Sequence, residues 1–180
     1  MSWPRGQASA LLLGGILLNL LTACTEGRPM ESTMQMSLRS EAFAEGGSIP
    51  TRFTCDGQDV SPPLSWSDEP EGTGSFVLIA DDPDASGFIH WLVGDIPASV
   101  TSMAEGRAEG IGVAGSNDFG RSGWGGPCPP SGEHRYRFTV YAVSGQLGLS
   151  GTPSEEDVRA AMRGRVLGQG QLVASYLRQR

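Results

Sequence analysis

Lysine is absent from this chain of 180 residues. All 13 basic side chains are arginine, they face 20 Asp and Glu, and the formal net charge is −7. A protein that works on nucleic acid presents a basic face to the phosphates, and this chain has no such excess. Acidity of this size speaks to solubility more than to a partner. Histidine is nearly absent too, occurring only as His90 and His134, and cysteine occurs three times. No G-x-x-x-x-G-K-[ST] loop is present, and no G-x-G-x-x-G set lies between a strand and a helix, so the nucleotide-binding signatures are missing. Long apolar runs are also lacking. The longest, ALLLGGILLNLL at residues 10–21, falls short of the roughly 20 residues a spanning helix needs.

That short run has another reading. Arg5 precedes it as a positive n-region, the run is an h-region, and LTAC follows, ending at Cys24. Small residues before a cysteine at this place are similar to a bacterial lipobox. The motif implies cleavage before Cys24 and acylation of that residue, and several acyl chains anchor stably where one does not. Thr25, not Asp, follows the cysteine, so the usual inner-membrane retention signal is missing and an outer membrane is expected where the host has two. Cleavage removes Arg5 and takes the net charge from −7 to −8. The expected organisation is a lipoprotein signal peptide at 1–23, a lipidated tether at 24–37, and one domain at 38–180. The implied setting is the bacterial cell envelope. Export bears on the two remaining cysteines, since Cys55 and Cys128 can pair in an oxidising compartment or stay as two thiols. A bond would close a loop of about 70 residues, worth about 4 kcal/mol on the chain-entropy model.

The rest of the chain reads mostly as strands. SFVLIA is a continuous apolar run, which predicts a strand covered on both faces. Alternation in FIHWLVGDI puts Phe88, His90, Leu92 and Ile96 on one face and Ile89, Trp91, Val93 and Asp95 on the other. In HRYRFTVYAV it groups His134, Tyr136, Phe138, Val140 and Ala142. SPPLSW, EPEGTG and GPCPPSG read as turns between short strands, a pattern of an all-β sandwich. One helix is predicted from TPSEEDVRAAMRGRVL, with Thr152 as N-cap, Pro153 at N1, Glu155 at N3, and an apolar stripe of Val158, Ala161, Met162 and Val166 that docks on a sheet. Gly168 and Gly170 are expected to break the chain before a last short strand, LVASYL. Residues 110–126 hold seven glycines in seventeen positions and read as a long irregular loop.

The chemistry concentrates in ADDPDASGFIHW. Asp81, Asp82 and Asp84 gather around a proline just past an apolar strand, and His90 lies six residues beyond the last of them. If the strands approach, Asp82, His90, His134 and Tyr136 converge.

DDPDA, HWLVGDIP and GGPCPPSGEHRYRFTVYA resemble the three signature blocks of the phosphatidylethanolamine-binding protein family, also called the Raf kinase inhibitor protein family. TCDGQDVSPPLSW and SNDFGRSGWGGPCPPSG are similar to further blocks of its bacterial and archaeal branch. The resemblance spans nearly all of 38–180. It implies a mainly β sandwich of two antiparallel sheets, one large and one small, with a peripheral helix near the C-terminus. It also implies a small anion pocket formed by Asp82, His90, Pro130, His134 and Tyr136, with Asp84 beside them supporting the loop. Glycines near Pro129 and Pro130 would let backbone N–H groups approach the ligand. No cofactor and no metal are implied. The segment between PP and HRY is only SGE, shorter than in the animal proteins, and an exported lipoprotein does not meet a cytosolic kinase, so kinase inhibition is not carried over.

The expected function is non-enzymatic binding of a small anionic or phosphorylated ligand, because Ser86 and Ser131 have no evident base beside them. The alternative is an inhibitor or regulator of an envelope or host protein. An enzyme or zinc site built on Asp82, His90 and His134 is a third reading, to which the resemblance lends nothing. The membrane is a partner through the lipid anchor, and nucleic acid is not one.

Overall fold

Three adjacent long strands lie side by side: β4 (Thr73–Asp82), β5 (Phe88–Pro97) and β8 (Glu133–Ser144), with β4 in the middle. The structure is a computed structural model and describes residues 1–2, 33–107 and 110–178. The expected signal peptide, Cys24 and most of the tether lie outside the described residues. The remaining strands are β1 (Met34–Gln35), β2 (Ser37–Arg39), β3 (Leu64–Ser67), β6 (Ser102–Met103), β7 (Val113–Ala114) and β9 (Val166–Leu177). They form a six-stranded sheet in the order β1-β9-β8-β4-β5-β7 and a three-stranded sheet in the order β2-β3-β6. Every pairing is antiparallel except the short β1–β9 contact.

Alternation explains the layering. Phe76, Leu78 and Ala80 of β4 join Tyr136, Phe138, Val140 and Ala142 of β8 in the core between the sheets. Val77 and Ile79 face the other way, where the helix α1 (Glu155–Met162) covers them with Val158 and Met162. Both faces of β4 are therefore buried, as its continuous apolar run requires. Each fully buried large side chain contributes about 1.5–3 kcal/mol.

Several sequence expectations need correction. The end of the expected tether is part of the described fold: β1 pairs with β9 and Met36 is buried, its N–H donating to the Gln169 carbonyl at 2.8 Å. SPPLSW contains β3 rather than only a turn. The helix is capped by Ser154, whose hydroxyl accepts from the Asp157 N–H while Asp157 accepts from the Ser154 N–H, so Thr152 and Glu155 are not the capping pair. Val166 starts β9 instead of ending the helix, and Gly168 and Gly170 sit inside that strand. They do so because a Cβ at 168 would lie 2.7 Å from Pro70 Cγ, and one at 170 would lie 2.9 Å from the Met36 carbonyl oxygen. The glycines admit the N-terminal segment rather than break the strand. The glycine-rich 110–126 segment holds the short β7 and a Ser116–Ser122 bridge.

β5 departs from simple alternation twice. Ala80 pairs with Trp91 and Asp81 with Ile89, leaving His90 as the extra residue of a bulge. Phe76 pairs with Ile96 and Leu78 with Val93, which places a second bulge at Gly94–Asp95. His90 therefore shares the inner side with Trp91, while Ile89 and Leu92 point to the helix layer. The expected grouping of His90 with Leu92 fails because a bulge moves the pattern by one residue.

Candidate functional site

The end of β4, the start of β5 and the start of β8 meet at one end of the large sheet. Residues 117–130 fold over them and enclose a cavity of about 130 Å³ lined by Asp82, His90, Pro130, His134 and Tyr136, together with Phe88 and Phe119.

Asp82 is the hinge of the arrangement. It ends β4 and precedes the turn Pro83–Ala85, and its Oδ1 accepts from the Asp84 and Ala85 N–H groups at 2.9 and 3.0 Å. Its Oδ2 lies 2.7 Å from His134 Nδ1. A carboxylate can only accept, so His134 donates from Nδ1 and turns Nε2 away from Asp82. His90 is held differently. Its Nδ1 lies 2.6 Å from the Gly125 carbonyl oxygen, which fixes the same tautomer. Asp82 is therefore the partner of His134 and not of His90.

Burial holds His90 below the ordinary imidazole value, and the Gly125 carbonyl and the Asp82 and Asp81 charges offset this only in part. The ring is neutral near pH 7. Burial, and then the Asp82 carboxylate, push the Tyr136 phenol above its ordinary value, so its hydroxyl stays protonated. That hydroxyl is buried and completes no hydrogen bond among the described residues, although the Cys128 backbone N–H faces it.

The other two carboxylates do not enter the cavity. Asp81 is opposite Arg137 across the β4–β8 ladder and binds it through both oxygens, at 3.0 and 2.5 Å. Asp84 accepts from the Arg135 backbone N–H at 2.9 Å and from its guanidinium at 3.0 and 2.6 Å, and Arg135 holds it well below the usual carboxylate range. Asp84 thus locks the turn to β8 and does not line the cavity. The acidic run answers the basic run HRYR strand to strand: Arg135 and Arg137 take Asp84 and Asp81, and His134 on the alternate face takes Asp82.

The loop wall is tied down at several points. Cys55 and Cys128 form a disulfide with Cα atoms 5.5 Å apart, and the Cys55 N–H donates to the Pro127 carbonyl at 3.2 Å. Gly125 donates to the His90 carbonyl at 2.9 Å and Gly126 to Asp59 Oδ1 at 2.7 Å. The Gly125 and Gly126 amides are thus engaged by the fold rather than pointed at the cavity. A Cβ at Gly125 would instead meet the Phe119 ring at 2.3 Å. Asn117 shapes the loop by accepting from the Phe119 and Arg121 N–H groups and donating to the Gly123 carbonyl.

Phe88 and Phe119 were missed by sequence reasoning. Their rings meet edge to face at 4.9 Å, and Phe119 lies 5.3 Å from the His90 ring. Phe119 is 43% exposed at the mouth. The available signal was a lone large aromatic in a glycine-rich polar loop, SNDFGRSG.

Comparison with known proteins gives this geometry a lineage. The phosphatidylethanolamine-binding protein family model matches residues 39–177. The chain belongs to this family. A UPF0098 protein of Aquifex aeolicus is 44% identical over 177 residues, covering 93% of this chain and 99% of that protein. The lipoprotein-named LppC of Mycobacterium tuberculosis is 37% identical over 152 residues, covering 82% of this chain and 75% of that one. Among solved structures, a phosphatidylethanolamine-binding protein homologue from Chlamydia trachomatis aligns with a TM-score of 0.77 and 36% identity, covering 82% of this chain and all of its own. Escherichia coli YbcL, described as a new member of the mammalian family, aligns at 0.74 with 31% identity, covering 80% and 99%. The two-sheet fold with one helix is the fold of these neighbours.

Proposed function

We propose that this family member is a non-enzymatic binding protein whose cavity takes a small oxyanion of the phosphate or phosphoethanolamine type, and that it does so from a lipid anchor in the cell envelope. The observation that carries the reading is the convergence of two histidines with committed Nδ1 atoms and a buried, unpartnered tyrosine hydroxyl on one cavity. His134 can offer an anion a hydrogen from Nε2 only when protonated, because its other N–H is held by Asp82. Binding therefore carries a proton with it, and the resulting imidazolium between Asp82 and the anion makes two charge-assisted hydrogen bonds. The Tyr136 hydroxyl supplies a neutral donor. At about 130 Å³ the cavity is smaller than the 300 Å³ or more of ordinary small-molecule sites, so a head group enters and an acyl chain does not.

A binding role is favoured over catalysis by the state of the nucleophiles. The Cys128 sulfur is engaged in the disulfide, and neither Ser86 nor Ser131 lines the cavity. Anchoring is supported by the LTAC motif and by the name of the mycobacterial relative.

Calorimetric titration with phosphoethanolamine tests the site. His134→Ala is expected to weaken binding by about 1.5–3 kcal/mol. Wild-type affinity is expected to fall as pH rises, because the bound form needs the second proton on His134. Unchanged affinity in a folded His134→Ala protein removes the assignment. For the anchor, Cys24→Ala is expected to leave the membrane fraction or persist as an uncleaved precursor. Wild-type fractionation and migration of that variant would refute lipidation.

A further inference from the structure

We infer that His90 selects the ligand: the pocket requires a group that donates a hydrogen bond to His90 Nε2, and so takes proton-bearing oxyanions of the phosphate class over oxyanions of the sulfate class, which carry no hydrogen. This rests on the anion-site reading above.

The constraint begins at Gly125. Its carbonyl oxygen, 2.6 Å from Nδ1, has no hydrogen to give, so Nδ1 must carry one. Rotating the ring by half a turn would put a carbon there and leave the buried carbonyl unpaired, which folded proteins avoid. The ring is also packed on three sides, 5.2 Å from Phe88, 5.3 Å from Phe119 and 5.1 Å from Tyr136. It is 4% exposed, and burial keeps it neutral. A neutral ring protonated at Nδ1 has a lone pair on Nε2, the one nitrogen left for the cavity His90 lines.

The surrounding titratable groups do not supply the missing hydrogen through a charge on His90. From β4, both Asp82 oxygens are engaged by His134 and by the turn amides, and Asp81 is held by Arg137. From β8, His134 faces Asp82 through Nδ1, and the Tyr136 phenol stays protonated. The two histidines thus play opposite parts. A protonated His134 donates to the anion, while His90 accepts from it. A hydrogen phosphate satisfies both at once. A sulfate satisfies His134 but sets a bare oxygen against the Nε2 lone pair, leaving a buried acceptor unpaired and repelled. Sites built around such a buried polar group discriminate strongly against an analogue that lacks the matching hydrogen.

The experiment is calorimetric titration of the full-length protein with inorganic phosphate, inorganic sulfate and methyl phosphate at pH 5 and pH 8. Inorganic phosphate should bind at least about tenfold more tightly than sulfate at pH 8. Inorganic phosphate still has an O–H at pH 8, whereas a phosphate monoester loses its last acidic proton near pH about 6. Methyl phosphate should therefore match inorganic phosphate at pH 5 and fall toward sulfate at pH 8. His90→Phe, which keeps a ring of similar shape, should erase the phosphate-to-sulfate margin. Should that variant not fold, nitrogen NMR of the wild-type imidazoles decides: His90 Nε2 must lack a proton of its own in both the free and the phosphate-bound protein. Equal affinity for phosphate and sulfate, a margin that survives His90→Phe, or a protonated Nε2 overturns this inference and leaves the anion site standing. Failure of every anion to bind overturns the anion site itself, and the selection with it.

Discussion

β5 carries a bulge at each end, and the two have different fates. At one end the extra residue is His90, on the inner side beside Trp91, with its ring nitrogen on the Gly125 carbonyl and its far edge toward a cavity. At the other end the bulge brings Asp95 into a left-handed conformation, φ 50°, and its oxygens accept from the Leu147 and Leu149 N–H groups at 2.5 and 2.8 Å. Both bulges redirect a polar side chain out of a strand that is otherwise apolar. Asp95 meets two backbone donors and is consumed in fixing a loop. His90 meets one backbone acceptor and keeps a nitrogen over. The bulge is the same device in both places, and what lies opposite it decides whether the result is a brace or a site.

The largest expected effect comes from the disulfide at the cavity end. Replacing Cys55 and Cys128 together by Ser removes a link between residues 73 positions apart, which the chain-entropy model values at about 4 kcal/mol. Hydrogen exchange should show faster opening of the Gly125 and Gly126 amides, with the Leu147 and Leu149 amides the slower to lose protection. Equal loss at both ends would mean the disulfide acts only through the unfolded chain.

A direct comparison of the two ends comes from removing each carboxylate. Asp82→Ala breaks the pair with His134 and uncaps the turn, and should cost about 3 kcal/mol of stability together with phosphate binding. Asp95→Ala strips the acceptor from two amides and should cost about 2 kcal/mol while leaving affinity unchanged. Urea titration beside calorimetry reads both quantities. Loss of binding in a well-folded Asp95→Ala protein would show that the two ends are coupled.

The smallest effect is one of pH. His90 has a lowered value when folded and an ordinary value, near 6.5, when unfolded. Below about pH 6.5 the unfolded chain binds the proton that the folded ring refuses, so this contribution to stability is full above that pH and is lost as pH falls through it, by at most about 1.4 kcal/mol per pH unit. Urea midpoints at pH 7 and pH 5, wild type against His90→Phe, isolate the term. An equal slope in both proteins would mean that His90 is charged when folded.

Much of the molecule was legible before folding. Alternation in HRYRFTVYAV grouped His134 with Tyr136 and the core residues that follow them, and the continuous run SFVLIA marked the doubly covered β4, because regular strands have a side-chain period of two. The signature blocks named the family and five residues that line one cavity. Tertiary structure decided the rest. Asp82 joins His134 rather than His90, Asp84 locks Arg135 outside the cavity, and the glycine amides serve the His90 carbonyl and Asp59. The physical reason is register. A bulge shifts a strand by one residue only relative to its neighbour, and Asp81 takes the partner that the ladder sets across from it, Arg137, 56 positions away in the chain. The sequence by itself determined which side chains were available. The pairing of β4, β5 and β8 determined which of them had a hydrogen or a lone pair left to offer.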